Sequence, residues 1–153
     1  MKARRVSGRT ARVRRMTSSD LTNVIRLARN SPEIQTGTSA AQFYSEGALR
    51  RWTRSRSGIA LAAEVGDAFA GFLLALYSSE STDSYLSDLV VAPEFRRQGV
   101  GGLLMAEAIH SMRLLGADHV YCLVKGNNAG MLKLCEHQGF ELGQSFVWVE
   151  RML

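Results

Sequence analysis

Residues 96–102 read Arg-Arg-Gln-Gly-Val-Gly-Gly, which places two guanidinium groups just ahead of a segment holding three glycines. An apolar, strand-like stretch (85–91) lies before them and a periodic apolar helix after them. The start of a helix leaves about four backbone N–H groups without intrahelical partners and carries the positive end of the helix dipole. Glycines there let an anion come down onto bare backbone. Gln98, Gly99, Val100, Gly101 and Gly102 are therefore expected to cradle a pyrophosphate, with Arg96 and Arg97 as flanking charge. Val100, Leu104, Ala108 and Met112 repeat at i, i+4 and Gly116 is a natural terminator, so the helix is predicted to end at Leu115. Two common phosphate motifs do not fit. A P-loop needs Gly-Lys-Ser/Thr, which the chain lacks, and a dinucleotide-binding turn starts its glycines at the strand end, whereas 92–98 intervene here.

The stretch Leu89-Val90-Val91-Ala92-Pro93-Glu94-Phe95-Arg96-Arg97-Gln98-Gly99-Val100-Gly101 resembles the signature of the GNAT superfamily of acyl-CoA-dependent N-acetyltransferases, Arg/Gln-x-x-Gly-x-Gly/Ala after a strand ending in Val-x-Pro. A second block, Asn128 through Gly139-Phe140, is similar to the family's later helix, which opens at an Asn and ends in Gly-Phe. Residues 13–21 are loosely similar to its opening strand and capped first helix, so the resemblance covers 11–153. It implies acetyl-CoA as cosubstrate and no metal. The pyrophosphate would lie on residues 96–102, with the pantetheine arm on the main chain of Leu89, Val90 and Val91 where two central strands splay apart, and Asn128 would complete the cofactor-binding set. It further implies direct attack, in a ternary complex, by a primary amine of a small molecule, peptide or protein.

An amine attacks only when neutral, because an ammonium with a pKa of about 10 has no lone pair. Asp88, on the strand beside the implied acyl site, is the first candidate for the base or relay that takes the proton, and Glu64 is the second; an ordinary exposed or capping carboxylate is the alternative for Asp88. Residues 57–95 hold six acids and no Lys or Arg, which favours a cationic acceptor. Many members of the family carry a Tyr seven residues after the helix-opening Asn, where it protonates the leaving thiolate; here that residue is Cys135. Seven residues is nearly two turns, so Asn128 and Cys135 share a helix face. A thiol, with a reference pKa of about 8.5, can donate a proton, and burial as a small apolar side chain is the alternative role. Tyr121, Tyr85 or water could substitute for it. A Glu used as base by the ribosomal-protein branch of the family falls on Leu123. These two departures leave a catalytically silent acyl-CoA-binding or sensing module as the rival to an enzyme. His110, His119 and His137 read as structural, and Trp52 and Trp148 as core or rim aromatics.

The elements that must position these groups follow from periodicity and turn residues. Strands are predicted over 11–16, 59–65, 69–77, 85–91 and 119–125, with a hairpin at Gly66-Asp67. Helices are predicted over 20–30, 48–56, 100–115 and 128–138, a polar loop over 31–47, and a short terminal hairpin within 140–153. Strands interspersed with helices imply a single α/β domain, a mixed and mostly antiparallel sheet with helices on both faces. At 153 residues and 46% hydrophobic content the chain suits one domain with a real core. The net charge of +5 is concentrated at one end. Seven basic residues precede the first acid, Asp20, and the remainder is slightly acidic. Residues 1–10 are accordingly expected to be a basic, partly disordered arm ahead of an N-acetyltransferase domain over 11–153. Contact of that arm with nucleic acid or ribosomes is the less favoured reading, and a homodimer is left open. With no run of about 20 apolar residues and no secretory signal pattern, the expected location is cytoplasmic. Cys122 and Cys135 lack metal-ligand spacing.

Overall fold

The computed structural model describes residues 3–6, 9–35 and 43–151. Six strands, β1 (Ala3–Val6), β2 (Arg9–Arg15), β3 (Gly58–Val65), β4 (Ala68–Tyr77), β5 (Asp83–Val91) and β6 (His119–Cys122), lie in sequence order in one sheet. Every neighbouring pair is antiparallel except β5 and β6, which run parallel. A parallel pair needs a long crossover, here the helix α3 (Val100–Leu115). The other helices are α1 (Leu21–Arg29), α2 (Glu46–Arg54) and α4 (Ala129–His137).

Local chemistry sets the helix ends. The Thr17 N–H donates to the Asp20 carboxylate at 2.7 Å ahead of α1, and the Ser45 hydroxyl accepts the Ala48 N–H at 3.3 Å to start α2. Gly99 and Gly116, with φ of 85° and 98°, bracket α3 in the left-handed conformation that glycine adopts without steric cost. Two apolar layers hold the sheet. On one face Ile59, Leu61, Leu73, Leu86 and their neighbours pack with Leu104, Met105, Ala108 and Met112 of α3 and Cys135 of α4. On the other, Ala60, Phe72, Leu74 and Val90 meet Leu21, Val24 and Ala28 of α1 and Leu49 of α2. Each large side chain buried in this way contributes about 1.5–3 kcal/mol. The mixed sheet with helices on both faces is as expected.

Three expectations are corrected. Residues 3–6 and 9–10, expected in a disordered arm, are strand: β1 pairs with β2 from Ala3 opposite Arg12 to Val6 opposite Arg9. Charged residues on an edge strand discourage sheet-to-sheet pairing, so an arginine-rich sequence and an edge strand are compatible. The terminal hairpin is not formed. Residues 140–151 carry no strand, and Leu142, Phe146, Val147, Trp148 and Val149 are exposed. The strand expected over 119–125 stops at Cys122. No helix among the described residues is long and apolar enough to cross a membrane.

Candidate active site

The register of β5 changes direction of use halfway along. Asp83 through Leu86 pair with His119 through Cys122 of β6, and beyond Leu86 the two strands separate. The closed end is latched by His119, whose Nδ1 lies 2.8 Å from the Asp83 carboxylate, and by Thr82, which donates to Asp118 at 2.8 Å. On the β4 side Leu74 pairs with Asp88 but Ala75 pairs with Leu86, so Ser87 is a bulge residue. The gap therefore opens at the bulge.

Main-chain groups in the open part of β5 alternate in direction. The Ala92 N–H donates to the Ala70 carbonyl at 2.9 Å, and a Cβ placed on Gly71 would lie 2.5 Å from the Val90 carbonyl, so Ala92 and Val90 address β4. Leu89 and Val91 must then turn their N–H and C=O groups away from β4. Of the three residues expected to offer main chain to a pantetheine arm, Leu89 turns its N–H and C=O and Val91 its N–H toward the gap, while the Val91 carbonyl accepts from Arg96 Nε. Val90 offers none; its backbone is used by the sheet and its side chain is buried against α1 and α2.

The gap leads to the start of α3. The first bond of that helix is donated by Leu103 N–H to Gly99 O at 3.1 Å, so the N–H groups of Val100, Gly101 and Gly102 precede the ladder. Arg97 has φ of 60°, a left-handed conformation unusual outside glycine, at the turn that brings these amides together. The two arginines part company. Arg96 donates through Nε to the Val91 carbonyl at 2.9 Å and pairs with Glu33 at 2.6 Å, tying the end of β5 to a 3₁₀ turn over Pro32–Ile34. Arg97 is exposed and enters none of the ion pairs found among the described residues, which leaves it as the guanidinium available to an anion. The Gln98 amide donates to the Glu94 carbonyl at 2.8 Å, bracing the turn. A Cβ on Gly101 would point inward, 3.2 Å from Leu134 Cδ2 and 3.6 Å from Leu89 and Val91, so this glycine seats α3 against α4 and β5. Asn128 caps α4, its Oδ1 accepting the Met131 N–H at 3.1 Å.

Asp88 lies on the opposite face from this cradle. It shares the α1/α2 side with Val90 and is only 8% exposed. Burial pushes its carboxyl above the usual aspartate range, and a 2.7 Å hydrogen bond donated by Ser87 partly offsets the shift. The Tyr44 hydroxyl lies 2.9 Å from Ser87 Oγ, and the Tyr44 ring meets Trp52 edge-on at 5.1 Å. Trp52, read from sequence as core or rim, donates its indole N–H to the Ala75 carbonyl at 2.9 Å beside the bulge. Tyr85 stacks obliquely on Tyr121 at 5.2 Å, and its phenol is pushed up by burial and by the nearby Asp88 charge.

Two further candidates are placed away from this cluster. Glu64 is bound by Arg12 and by Arg14, which also holds Asp20; burial alone would raise Glu64, but these hydrogen bonds outweigh it and keep the carboxyl below its usual value. It is a member of a structural ion network. Cys135 is 5% exposed within the α3 layer, and its sulfur lies 3.8 Å from that of Cys122. Burial raises both thiols, Cys122 to about 12. Leu123 is exposed past the end of β6. Tyr44 and Ser87 were not anticipated from sequence. A bulge leaves no mark in composition, and Tyr44 lies far from Asp88 along the chain.

A family model described as the acetyltransferase (GNAT) family matches residues 23–140, and the chain belongs to that family. Over 95 residues, 62% of this chain, it is 34% identical to streptothricin acetyltransferase of Streptomyces lavendulae; the matched stretch spans 49% of that protein, about half its length. The fold is similar to that of an aminoglycoside acetyltransferase from an uncultured soil metagenomic sample, crystallised with sisomicin, with a TM-score of 0.75, 17% identity, and coverage of 94% of this chain and 96% of the other. It is also similar to the aminoglycoside N-acetyltransferase AAC(6')-Iy in complex with CoA, with a TM-score of 0.73, 17% identity, and coverage of 93% and 100%.

Proposed function

We propose that this chain transfers an acetyl group from acetyl-CoA to a primary amine of a small cationic molecule or a flexible peptide, by direct attack in a ternary complex. The observation that carries the reading is the opening of β5 from β6 beside a buried carboxylate: the start of α3 lies on one face of the sheet and Asp88 on the other, and the gap would join them. The amides at the start of α3 and Arg97 would hold the pyrophosphate, and the outward main chain of Leu89 and the Val91 N–H would pair with the pantetheine arm. A thioester led through the gap would meet an acceptor arriving from the α1/α2 side.

Asp88 would take the proton that frees the amine lone pair. A base works best when its pKa is drawn toward that of the group it deprotonates, and burial moves Asp88 in that direction. The nitrogen then attacks the thioester carbonyl, the carbon–sulfur bond breaks, and the sulfur leaves with a proton. Desolvated carboxylate and surrounding phenol rings of Tyr44 and Tyr85 suit a cation on approach. The acceptors in the names of the similar proteins, streptothricin and aminoglycosides, are consistent with that chemistry.

The test is release of free CoA thiol from acetyl-CoA over a panel holding streptothricin, sisomicin, spermidine and a lysine peptide. Turnover of at least one amine is expected. The burial of Cys135 against Cys122 favours a second reading, in which no leaving-group acid exists and the domain binds acyl-CoA without consuming it. Calorimetric CoA binding with no thiol release from any amine would support that reading instead.

A further inference from the structure

Ser87 has a single hydroxyl proton, and the geometry commits it to Asp88 Oδ2 at 2.7 Å. Its other neighbour, the Tyr44 hydroxyl at 2.9 Å, must then donate to Ser87 rather than accept from it. The three groups form an ordered chain, Tyr44 to Ser87 to Asp88. It runs from a phenol that is 38% exposed to a carboxylate that is 8% exposed. The β-bulge creates the chain, because an extra residue at Ser87 breaks the strict alternation of β5 and lets Ser87 and the following Asp88 hydrogen-bond to each other. The other titratable groups around Asp88 are Tyr44, from the segment before α2, and Tyr85 on β5, with Tyr121 and Cys122 of β6 beyond Tyr85. No Lys or Arg is hydrogen-bonded to Asp88 among the described residues.

Acetylation of an ammonium removes two protons from its nitrogen. One ends on the CoA sulfur, and the other must reach solvent. We propose that Ser87 and Tyr44 carry this second proton from Asp88 to the surface; the proposal rests on Asp88 acting as the base. In the step, an N–H bond of the acceptor breaks and an O–H bond forms on Asp88. Once Asp88 is protonated the two hydroxyls turn to point outward, Asp88 donates to Ser87 Oγ, Ser87 gives its own proton to Tyr44, and the Tyr44 proton passes to water, which leaves both hydroxyls pointing inward again as in the resting chain. Each hydroxyl gives one proton as it gains one, so Ser87 and Tyr44 end unchanged and Asp88 is again an anion. The route matters because an acceptor and a thioester seated at the gap would cover the small part of Asp88 that solvent reaches. Ser87 and Tyr44 are positioning residues that act through Asp88.

The experiment compares Ser87→Ala, Tyr44→Phe, Ser87→Thr and Asp88→Asn with the unaltered chain, using acetyl-CoA and the amines of the panel above, with and without imidazole as a small exogenous proton carrier. For a relay in series with general-base catalysis, Ser87→Ala and Tyr44→Phe are expected to lower kcat by about tenfold with an unchanged KM for acetyl-CoA. Imidazole should restore much of the loss, and Ser87→Thr, which keeps the hydroxyl, should retain the rate. A merely structural role would not respond to imidazole. Full activity of Ser87→Ala, or a loss that imidazole leaves untouched, overturns the relay. The base is judged separately: if Asp88→Asn is fully active, or no amine turns over, the reading of Asp88 fails and the relay with it. Loss in Asp88→Asn alongside full activity of the Ser87 and Tyr44 variants removes the relay and leaves the base standing.

Discussion

The proposed cradle at the start of α3 is made from consecutive residues and mainly from their backbone, whereas the proposed acceptor side at the β5 bulge is made from the side chains of Tyr44, Trp52, Ser87 and Asp88, brought in from three stretches of chain. Unpartnered amides at a helix start cost little to keep, because water satisfies them until an anion arrives. Asp88, a buried carboxylate with no cationic partner among the described residues, is different: burial disfavours its charged form and so opposes folding at neutral pH. One half of the site is compatible with stability, and the other is maintained against it.

That contrast is broken most directly at Asp88. Asp88→Asn is expected to lower kcat by about 10²-fold or more while CoA affinity holds, the scale usual for loss of a general base. The sign of its effect on stability is the sharper test. A carboxyl whose folded-state pKa lies above its unfolded value weakens the fold at pH above that window, and the deficit disappears as pH falls through the raised value. The asparagine variant should therefore melt at the same or a higher temperature than the parent at pH 7, with the difference vanishing in acid. In the parent, the rate should fall on the acid side as Asp88 protonates, and that limb should be missing in Asp88→Asn. A variant that melts lower and keeps the parental pH profile would make Asp88 a structural residue.

The cradle half is probed at Gly101. A Cβ there meets Leu134 Cδ2 at 3.2 Å, the far end of a flexible side chain, so Gly101→Ala should fold normally and bind CoA. Gly101→Val adds branches against Leu134, Leu89 and Val91, and overpacking of this kind costs about 1–3 kcal/mol. Thermal melts and calorimetry should show lower stability and weaker CoA binding together, because the strain tilts the first turn of α3 away from β5. A folded Gly101→Val variant with parental CoA affinity would show that the cradle does not depend on this seating.

The same contrast explains what could be read from sequence. A phosphate loop is local, and its glycines, its helix period and Gly116 all lie within one stretch, so the helix ends at Leu115 as expected and Gly99 takes a left-handed conformation. The acceptor side is tertiary. Ser87 matters because β4 and β5 slip by one residue between Leu74 and Ala75, and nothing in the local sequence marks that slip. Side-chain roles were legible by type but not by partner: Arg96 was assigned to the phosphate yet is bound to Glu33 and Val91, and Glu64 was available on charge alone but is held by Arg12 and Arg14. The length of extended sequence after Gly139 was enough for a short hairpin, and residues 140–151 lack one.

The two arginines give a smaller effect with a clear direction. Replacing Arg97 by Gln should weaken CoA binding by about tenfold, which corresponds to the ~1.4 kcal/mol expected of a charged hydrogen bond to phosphate, and the loss should shrink as salt rises. Arg96→Gln breaks a partly exposed ion pair with Glu33, worth about 1 kcal/mol or less, and should change the melting temperature more than CoA affinity. Equal losses of affinity in the two variants would return Arg96 to the cradle.

Cys135 carries the smallest expected effect because its surroundings are those of a packed side chain. Its sulfur sits among α3-side core residues and 3.8 Å from Cys122, and burial keeps both thiols protonated. Cys135→Ala removes one buried atom and should cost about 1 kcal/mol of stability. Turnover should fall by less than about tenfold, short of the 10²-fold or more that loss of a general acid brings. Cys135→Tyr, which would place the family's usual acid at this position, has to fit a ring into space now filled by a thiol, and should destabilise the fold before it can aid the reaction. If Cys135→Ala instead loses about 10²-fold in kcat with its CoA affinity and melting temperature intact, the thiol is the leaving-group acid, and the catalytic side of the molecule extends through the gap into the α3 core.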